Sequence, residues 1–153
     1  MAAASSHADP TVVRWPGKIP AAKPNDELMT TMDLLPTFAK LAGAAVPTDR
    51  VIDGKDIWPT LTGNAPTPHE AFFYHSANDL QAVRSGKWKL HAKNGKPKAL
   101  YDLENDIKEK TNVMNSNPKV VQRLKQHLTK FAQDIAENSR PAGYVENPQP
   151  LSK

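Results

Sequence analysis

The sequence contains no cysteine, few aromatic residues and no long apolar run. Without cysteine the chain can form no disulfide, no thiolate nucleophile and no cysteine-ligated metal site, so sulfur says nothing about its redox compartment. No stretch approaches the roughly 18 consecutive apolar residues of a membrane-spanning helix. Residues 1–10 are small and polar, lack the apolar centre of a secretory signal and predict a disordered N-terminus. The localisation of the chain therefore stays open.

The apolar content is thin for a chain of 153 residues, a length that suits one domain. Hydrophobic residues make up 39% and the prolines number 14, which predicts a modest core and many loops. The net charge of +4 arises largely between residues 84 and 110, where eight Lys or Arg face four Asp or Glu. The chain therefore carries a local basic patch and is not basic throughout.

Residues 71–106 hold several short apolar runs whose members alternate with polar residues, the period typical of β-strands. Phe72 and Tyr74 occupy alternate positions, and so do Trp88 and Leu90. We predict antiparallel strands over about 71–75, 80–84, 87–92 and 99–102. One face of this sheet is expected to be apolar and the other basic.

Two pairs of residues that each end in glycine separate the later strands. Ser85-Gly86 stands between the second and third runs, and Asn94-Gly95 between the third and fourth. Glycine and asparagine adopt positive φ readily, as tight antiparallel hairpins require. The sequence therefore predicts a two-residue hairpin turn at Ser85-Gly86 and a second reversal at Asn94-Gly95.

A compact set of helix signals lies between Asp33 and Gly43. Asp33 can accept backbone N–H groups as the N-cap, Pro36 fits the first turn, and Gly43 can end the helix in a left-handed conformation. These signals predict a helix over about 34–42. The apolar residues expected on its buried side are Leu34, Leu35, Phe38 and Leu41. Four prolines and two glycines between 44 and 69 then predict an ordered surface loop.

The longest predicted helix begins at Asn117-Pro118, which suit the N-cap and the first helical position. It extends to about Glu137, and an apolar stripe with steps of three and four runs along it. The stripe consists of Val121, Leu124, Leu128, Phe131 and Ile135. A coiled-coil seam is the alternative, but so short a stripe favours one helix packed on a sheet. The predicted fold class is therefore α+β, a small antiparallel sheet of about four strands packed against a long C-terminal helix.

Charged residues offer three candidates for chemistry, and each has a plainer interpretation. Asp53 and Asp56 in DGKD could suggest a calcium loop, but they lack the further acidic ligands of an EF-hand, and a turn with solvated carboxylates is the favoured interpretation. Clustered cations with aromatic neighbours are typical of nucleic-acid binding, whereas their alternation with apolar residues fits solvent-facing strand positions. These cations are Arg84, Lys87, Lys89, Lys93, Lys96 and Lys98. Glu104, Asp106 and Glu109 are interpreted as loop charges rather than as an acid/base pair.

Five segments, taken in order, resemble the sulfatases, the sulfate-ester hydrolases of the alkaline-phosphatase-like superfamily. They are VVRWPGKIP, MDLLPTFAKLAGAAVP, RVIDGKDIWPTLTG, AVRSGKWKLH and LYDLENDIKEKTNV. The resemblance covers about residues 11–145, and it is to the C-terminal portion that follows the catalytic core of arylsulfatase-like enzymes. No single segment carries the resemblance, which rests on their shared order and spacing.

The resemblance implies how the chain is divided. Residues 1–10 would be a disordered N-terminus, 11–69 a strand, short helix and Pro-rich loop like the end of the sulfatase core, 70–137 the sheet and helix of the C-terminal subdomain, and 138–153 an extended tail. The implied partner is a sulfatase catalytic core or a second copy. A lone copy should then expose the apolar residues of VVRW and of the helix over 34–42. No nucleic-acid or membrane partner is expected, and full-length family members are often exported.

The resemblance also bears on chemistry. Sulfatases carry a Cys or Ser in C/S-x-P-x-R that is oxidised to formylglycine, and an Asp-Asp pair helps to bind one calcium or magnesium ion. This sequence has neither the motif nor an Asp-Asp pair. The chain is therefore expected to be a C-terminal fragment, inactive alone, with no catalytic or metal-binding residue and no cofactor of its own.

Substrate contact is the remaining role that the resemblance implies. In sulfatases the first strand reversal approaches the mouth of the active site, which makes His75, Asn78 and Asp79 candidate substrate-binding residues. A polar connection between strands is the plainer interpretation of these three residues. The alternative function is a stand-alone interaction module that binds an anionic or sulfated ligand through its basic face.

Overall fold

The computed structural model describes residues 11–21, 23–77 and 79–139. Its sheet consists of β1 (Phe72–Ser76), β2 (Asp79–Ser85), β3 (Trp88–Lys93) and β4 (Lys96–Asp102). Its α-helices are α1 (Leu34–Leu41), α2 (Trp58–Leu61) and α3 (Pro118–Asn138), and short 3-10 helices span Thr31–Asp33 and Met114–Ser116. The predicted disordered N-terminus and almost all of the predicted tail lie outside the described residues. No helix in the described ranges combines the length and the apolar character needed to cross a bilayer.

The four strands form one antiparallel sheet in which each strand lies beside the next one in sequence. A row of partners across the sheet supplies its apolar face: Phe73, Val83, Leu90 and Leu100. Leu124 and Leu128 of α3 join Val83, Leu90 and Leu100 in the buried core, where each fully buried leucine stabilises the fold by about 1.5 to 3 kcal/mol. The predicted α+β fold, with four antiparallel strands and a packed C-terminal helix, is confirmed.

The turn between β2 and β3 lies one residue later than predicted. Ser85 pairs with Trp88, so the turn consists of Gly86 and Lys87, and Gly86 has a φ of +56°. A positive φ at the first central position is the pattern of a type II′ turn. The second reversal is confirmed, since Asn94 and Gly95 have φ values of +52° and +70°. β4 begins at Lys96, three residues before its predicted start, because it pairs with β3 directly after this turn.

The alternation in β1 was predicted with Phe72 and Tyr74 as its apolar residues, but Phe73 is the residue that faces α3. Phe73 stacks on Phe131 of α3 with ring centroids 3.8 Å apart, which places Phe73 on the helix side of the sheet. Phe72 and Tyr74 therefore lie on the other face, because neighbouring strand residues point to opposite sides. Three aromatics in a row make both alternations possible, and contact with Phe131 selects one of them.

The apolar residues of α1 are not on a buried side, contrary to the prediction. Leu35 is 54% exposed and Phe38 is 59% exposed, whereas Pro36 and Thr37 are buried. Leu34 and Leu41 are also exposed. The helix itself is confirmed, but the residues of its apolar side are between 38% and 59% exposed. The periodicity of a sequence shows that a helix has an apolar side and does not show what covers it.

Two smaller differences concern the other helices. The predicted loop over 44–69 contains one helical turn, α2, with Pro59 near its N-terminus, where the missing N–H of proline costs little. α3 begins as predicted, and its stripe contacts the sheet except at Ile135, which is 44% exposed. Both outcomes follow from how far the neighbouring elements extend.

Candidate functional site

The hairpin of β1 and β2 carries the residues that sequence analysis assigned to substrate binding. His75 lies near the end of β1 opposite Leu80, and Asp79 begins β2 opposite Ser76. Both side chains are exposed. The third residue, Asn78, lies outside the described residues. The structure thus brings His75 and Asp79 to one end of one hairpin.

The same hairpin end lies against α3. The imidazole of His75 is 5.6 Å from the ring of Phe131, measured between centroids. Ala77, in the reversal between the strands, has a φ of +50°, an uncommon conformation for a residue with a side chain. His75 is therefore exposed yet supported by an aromatic ring, an arrangement that suits a side chain held for contact with a ligand.

A buried ion cluster on the sheet face opposite α3 was missed by sequence analysis. Lys89 is fully buried, and its Nζ donates to Oε1 of Glu109 at 2.7 Å. The second carboxylate oxygen of Glu109 lies 2.6 Å from Nε2 of His91. Lys89 also lies over the ring of Tyr74, 4.6 Å from its centroid. The predictions that Lys89 is solvent-facing and that Glu109 is only a loop charge are therefore wrong.

Electrostatics favour the charged form of the Glu109 carboxylate. Burial alone would raise the pKa of Glu109, but the bonds from Lys89 and His91 outweigh burial and hold that pKa below its usual value. Glu109 adopts a φ of +53° to reach the two side chains, a conformation that costs a non-glycine residue roughly 1 kcal/mol or more. No local signal could have revealed the pair, because 20 residues separate its members.

A second buried carboxylate, Asp33, joins three segments of the region before the sheet. Its Oδ1 accepts hydrogen bonds from the backbone N–H of Lys55 at 2.8 Å and lies 2.7 Å from Nε2 of His69. Its Oδ2 accepts from the backbone N–H of Thr30 at 2.7 Å. Asp33 occupies the predicted N-cap position of α1, but its side chain makes no capping bond to that helix. Asp33 instead holds the segments at 30, 55 and 69 together.

The acidic residues of DGKD do not assemble a metal site. Asp56 accepts a 2.6 Å bond from Nζ of Lys40 and another from the backbone N–H of Trp58, and Asp53 is exposed. Within the ranges that the structure describes, no three His, Asp or Glu side chains converge as divalent-cation ligands would. The residues present therefore do not fit the calcium or magnesium ion that sulfatases use.

The cations of the sheet do not form the continuous basic face that was predicted. Lys89 is buried, and Lys87 pairs with Asp102 at 2.9 Å and with Glu104 at 3.2 Å. Arg84 donates to the carbonyl of Gly86. The cations that stay exposed near the turn between β3 and β4 are Lys93, Lys96 and Lys98. The hypothesis that the strands bind phosphate groups required a continuous basic face, and the described strands do not form one.

The apolar side of α1 forms an exposed surface. We define the α1 face as Leu34, Leu35, Phe38 and Leu41 together with Met32, all of them between 38% and 59% exposed. Single exposed apolar residues are ordinary, but a contiguous set along one helix usually marks an interface. Val12 and Val13 of VVRW are exposed too, and Trp15 lies against Trp58 with ring centroids 5.1 Å apart. The expectation that both segments expose apolar residues is confirmed.

A family model described as "N-sulphoglucosamine sulphohydrolase, C-terminal" matches residues 1–134. The chain belongs to this family of sulfatase C-terminal domains. This sulfatase domain is 45% identical over 85 residues to an arylsulfatase of Hemicentrotus pulcherrimus, a match that covers 56% of this chain and 15% of the relative. It is 33% identical over 174 residues to arylsulfatase A of Bos taurus, which covers 93% of this chain and 34% of the relative.

Solved structures support the same assignment. The sulfatase domain superposes on the crystal structure of Ps i-CgsB with a TM-score of 0.68 and 33% identity, over 87% of this chain and 30% of that one. A sulfatase from Pseudoalteromonas sp., PsFucS1, has a TM-score of 0.74 over 83% of this chain and 30% of its own; at 19% identity it supports the fold alone. The chain spans about a third or less of the length of these relatives.

Proposed function

We propose that this domain is the C-terminal part of a sulfate-ester hydrolase, in which it completes and borders an active site whose catalytic groups lie on another part of the enzyme. The family assignment supports the proposal. The chain spans about a third or less of the length of its relatives, which also supports it. The observation that carries it is the exposed α1 face. This surface requires a partner, and the remaining part of a sulfatase is the partner that the family offers.

Burial of the α1 face would contribute to docking of such a partner. Its leucines and phenylalanine are roughly half exposed, and full burial of one such side chain is worth about 1.5 to 3 kcal/mol. Covering the exposed half of each would then contribute about 1 kcal/mol per residue. Asp33 supports this surface, because its bonds to Thr30 and Lys55 anchor the chain at the start of α1.

The hairpin residues His75 and Asp79 are proposed as substrate contacts, with Asn78 between them. Both described side chains are exposed, and Phe131 supports the imidazole of His75. An imidazole N–H can donate to a sulfate oxygen, and a carboxylate can accept from a sugar hydroxyl. These residues would position a substrate and would take no part in breaking the ester bond.

The chain alone is proposed not to hydrolyse sulfate esters. Attack on sulfur needs a positioned nucleophile, and none of the 153 residues stands in the formylglycine motif of sulfatases. Purified chain with calcium or magnesium and a chromogenic aryl sulfate should show no turnover, and a His75→Ala sample serves for comparison. Metal-dependent hydrolysis by the wild-type chain would refute the proposal, and its loss in His75→Ala would reveal a catalytic site at the hairpin.

A chimera tests the supporting role. This chain replaces the matching segment of bovine arylsulfatase A, and aryl sulfate hydrolysis is measured. We expect an active chimera that Leu35→Glu with Phe38→Glu inactivates at least tenfold, because two buried charges would oppose docking of the α1 face. Ile107→Glu is the matched control, since Ile107 is 60% exposed and lies outside α1. Equal activity of the α1 variant and the control would contradict docking.

The stand-alone interaction module is not favoured as an alternative. That hypothesis depended on a basic sheet face. Glu109 pairs with Lys89, and Asp102 and Glu104 pair with Lys87, so carboxylates neutralise both of these cations.

A further inference from the structure

The described chain buries two separate sets of side chains, one on each side of Glu70. The hydrophobic core of the sheet and α3 draws on residues from Ala71 onward. Earlier in the chain, Thr37 of α1 and Ile57 are buried, and the backbone N–H of Ile57 donates to the hydroxyl of Thr37 at 3.0 Å. We call residues 23–69 the α1 part and residues 71–139 the sheet part. The α1 face and the hairpin of β1 and β2 therefore belong to different parts of the fold.

His69 is bonded to the α1 part at the point where the chain enters the sheet part. Its Nε2 lies 2.7 Å from Oδ1 of Asp33, and the two side chains are only 6% and 0% exposed. A carboxylate oxygen can only accept, so Nε2 carries the hydrogen of this bond. Asp33 directly precedes α1, and His69 comes shortly before β1. One buried contact thus links the start of the docking helix to the start of the strand that carries His75.

The neighbours of His69 in sequence show where the α1 part ends. Pro68 is still held, because its carbonyl accepts a 3.0 Å bond from Nζ of Lys55. The side chain of Glu70 is 82% exposed and makes one long contact of 3.8 Å with α3, and Ala71 already packs against the core of the sheet. The contact of His69 with the buried carboxylate therefore lies at the junction itself, where it bears directly on the orientation of β1.

We propose that Asp33 and His69 are positioning residues that fix the hairpin of β1 and β2 relative to the α1 face. His75 lies about 10 Å along β1 from Phe72, so a tilt of about 6° at the junction would move it by about 1 Å. Displacements of about 1 Å can cost an enzyme up to about 10²-fold in rate. The inference rests on the proposed function for what docks on the α1 face and for what His75 contacts.

Spin labels on the full chain test the junction without the rest of an enzyme. The sequence has no cysteine, so labels attach only where cysteine is introduced. Ala42→Cys labels the exposed C-cap of α1, and Lys93→Cys labels the exposed end of β3. Pulsed dipolar spectroscopy should give one narrow distance between them. His69→Phe keeps a ring but loses the donor and should widen that distribution about twofold, whereas His69→Gln keeps a donor and should preserve it.

His127→Ala is the matched control for these labels. It removes another partly buried imidazole, one that faces Glu70, and leaves Asp33 untouched. Its distribution should match that of the wild type. His69→Ala replaces His69→Phe if the phenylalanine variant does not fold, and the same widening is expected. A wide distribution in the wild-type chain, or equal widths in the donor-free variant, His69→Gln and the control, would refute the inference.

Kinetics of the arylsulfatase chimera separate positioning from a general structural role. His69→Phe should lower kcat/KM about tenfold, and His69→Gln should restore it. The phenylalanine variant should cause no further loss in a chimera that already carries His75→Ala, because His69 acts through His75. A full further loss there would contradict positioning. The label distances do not depend on turnover. An inactive chimera with the expected widths therefore refutes only the proposed function, whereas an active chimera with unchanged widths refutes this inference alone.

Discussion

Glu109→Gln is expected to destabilise the domain by about 3 kcal/mol, because it removes the carboxylate charge that pairs with the buried ammonium of Lys89. Lys89 has no exposed surface, its ammonium bonds the Glu109 carboxylate at 2.7 Å, and the Glu109 side chain is only 13% exposed. Removing one member of a buried pair typically costs about 3 to 5 kcal/mol. Glutamine would keep the strained φ of residue 109, so the substitution should not offset this cost by relieving strain. For a chain of this size, 3 kcal/mol lowers the melting temperature by about 6 to 12 °C.

Thermal and urea unfolding of the wild type and three variants would measure this energy. Glu104→Gln is the matched control, since that carboxylate is 69% exposed and should contribute less than about 1 kcal/mol. Lys89→Met combined with Glu109→Gln should be more stable than Glu109→Gln alone, because the double variant no longer buries the ammonium of Lys89. A cost below about 1 kcal/mol for Glu109→Gln, or a double variant no more stable than the single one, would refute the reasoning.

Three further predictions concern the packing and pH response of the same domain. Phe131→Ala should cost about 3 kcal/mol in urea unfolding because it removes the ring that stacks on Phe73; a loss under about 1 kcal/mol would contradict docking of α3. Gly54→Ala should abolish stable folding of the region before the sheet, since a Cβ there would lie 1.9 Å from the carbonyl oxygen of Met32, and unchanged hydrogen exchange in that region would contradict the clash. Because the folded-state pKa of Glu109 is lowered, its stabilising contribution is present above the unfolded pKa of about 4.3 and disappears as pH falls through the folded value. Urea midpoints from pH 7 to pH 3 should therefore fall more steeply for the wild type than for Glu109→Gln, and parallel curves would argue against the assignment.

Local chemistry made the elements of this fold predictable. Asn94-Gly95 specifies its turn because both residues adopt positive φ cheaply, and Asn117-Pro118 marks the start of α3 because proline is favoured there. The substrate-contact residues were proposed from their place in a recognised family pattern. The structure leaves His75 and Asp79 exposed at the hairpin end, and their role stays a prediction.

Contacts between distant residues decided the rest. Lys89 alternates with apolar residues as a solvent-facing cation would, yet it is buried because Glu109 reaches it from a loop 20 residues later. Phe73 rather than Phe72 faces α3 because the ring of Phe131 lies there.

The sequence by itself determined which segments are strands, turns and helices, because φ preferences and apolar periodicity act over a few residues. Only the tertiary structure decided which side of each element is covered. The apolar side of α1 carries the pattern of a buried helix, but Leu35 and Phe38 are more than half exposed. Burial depends on what packs from elsewhere, and that information does not reside in the helix.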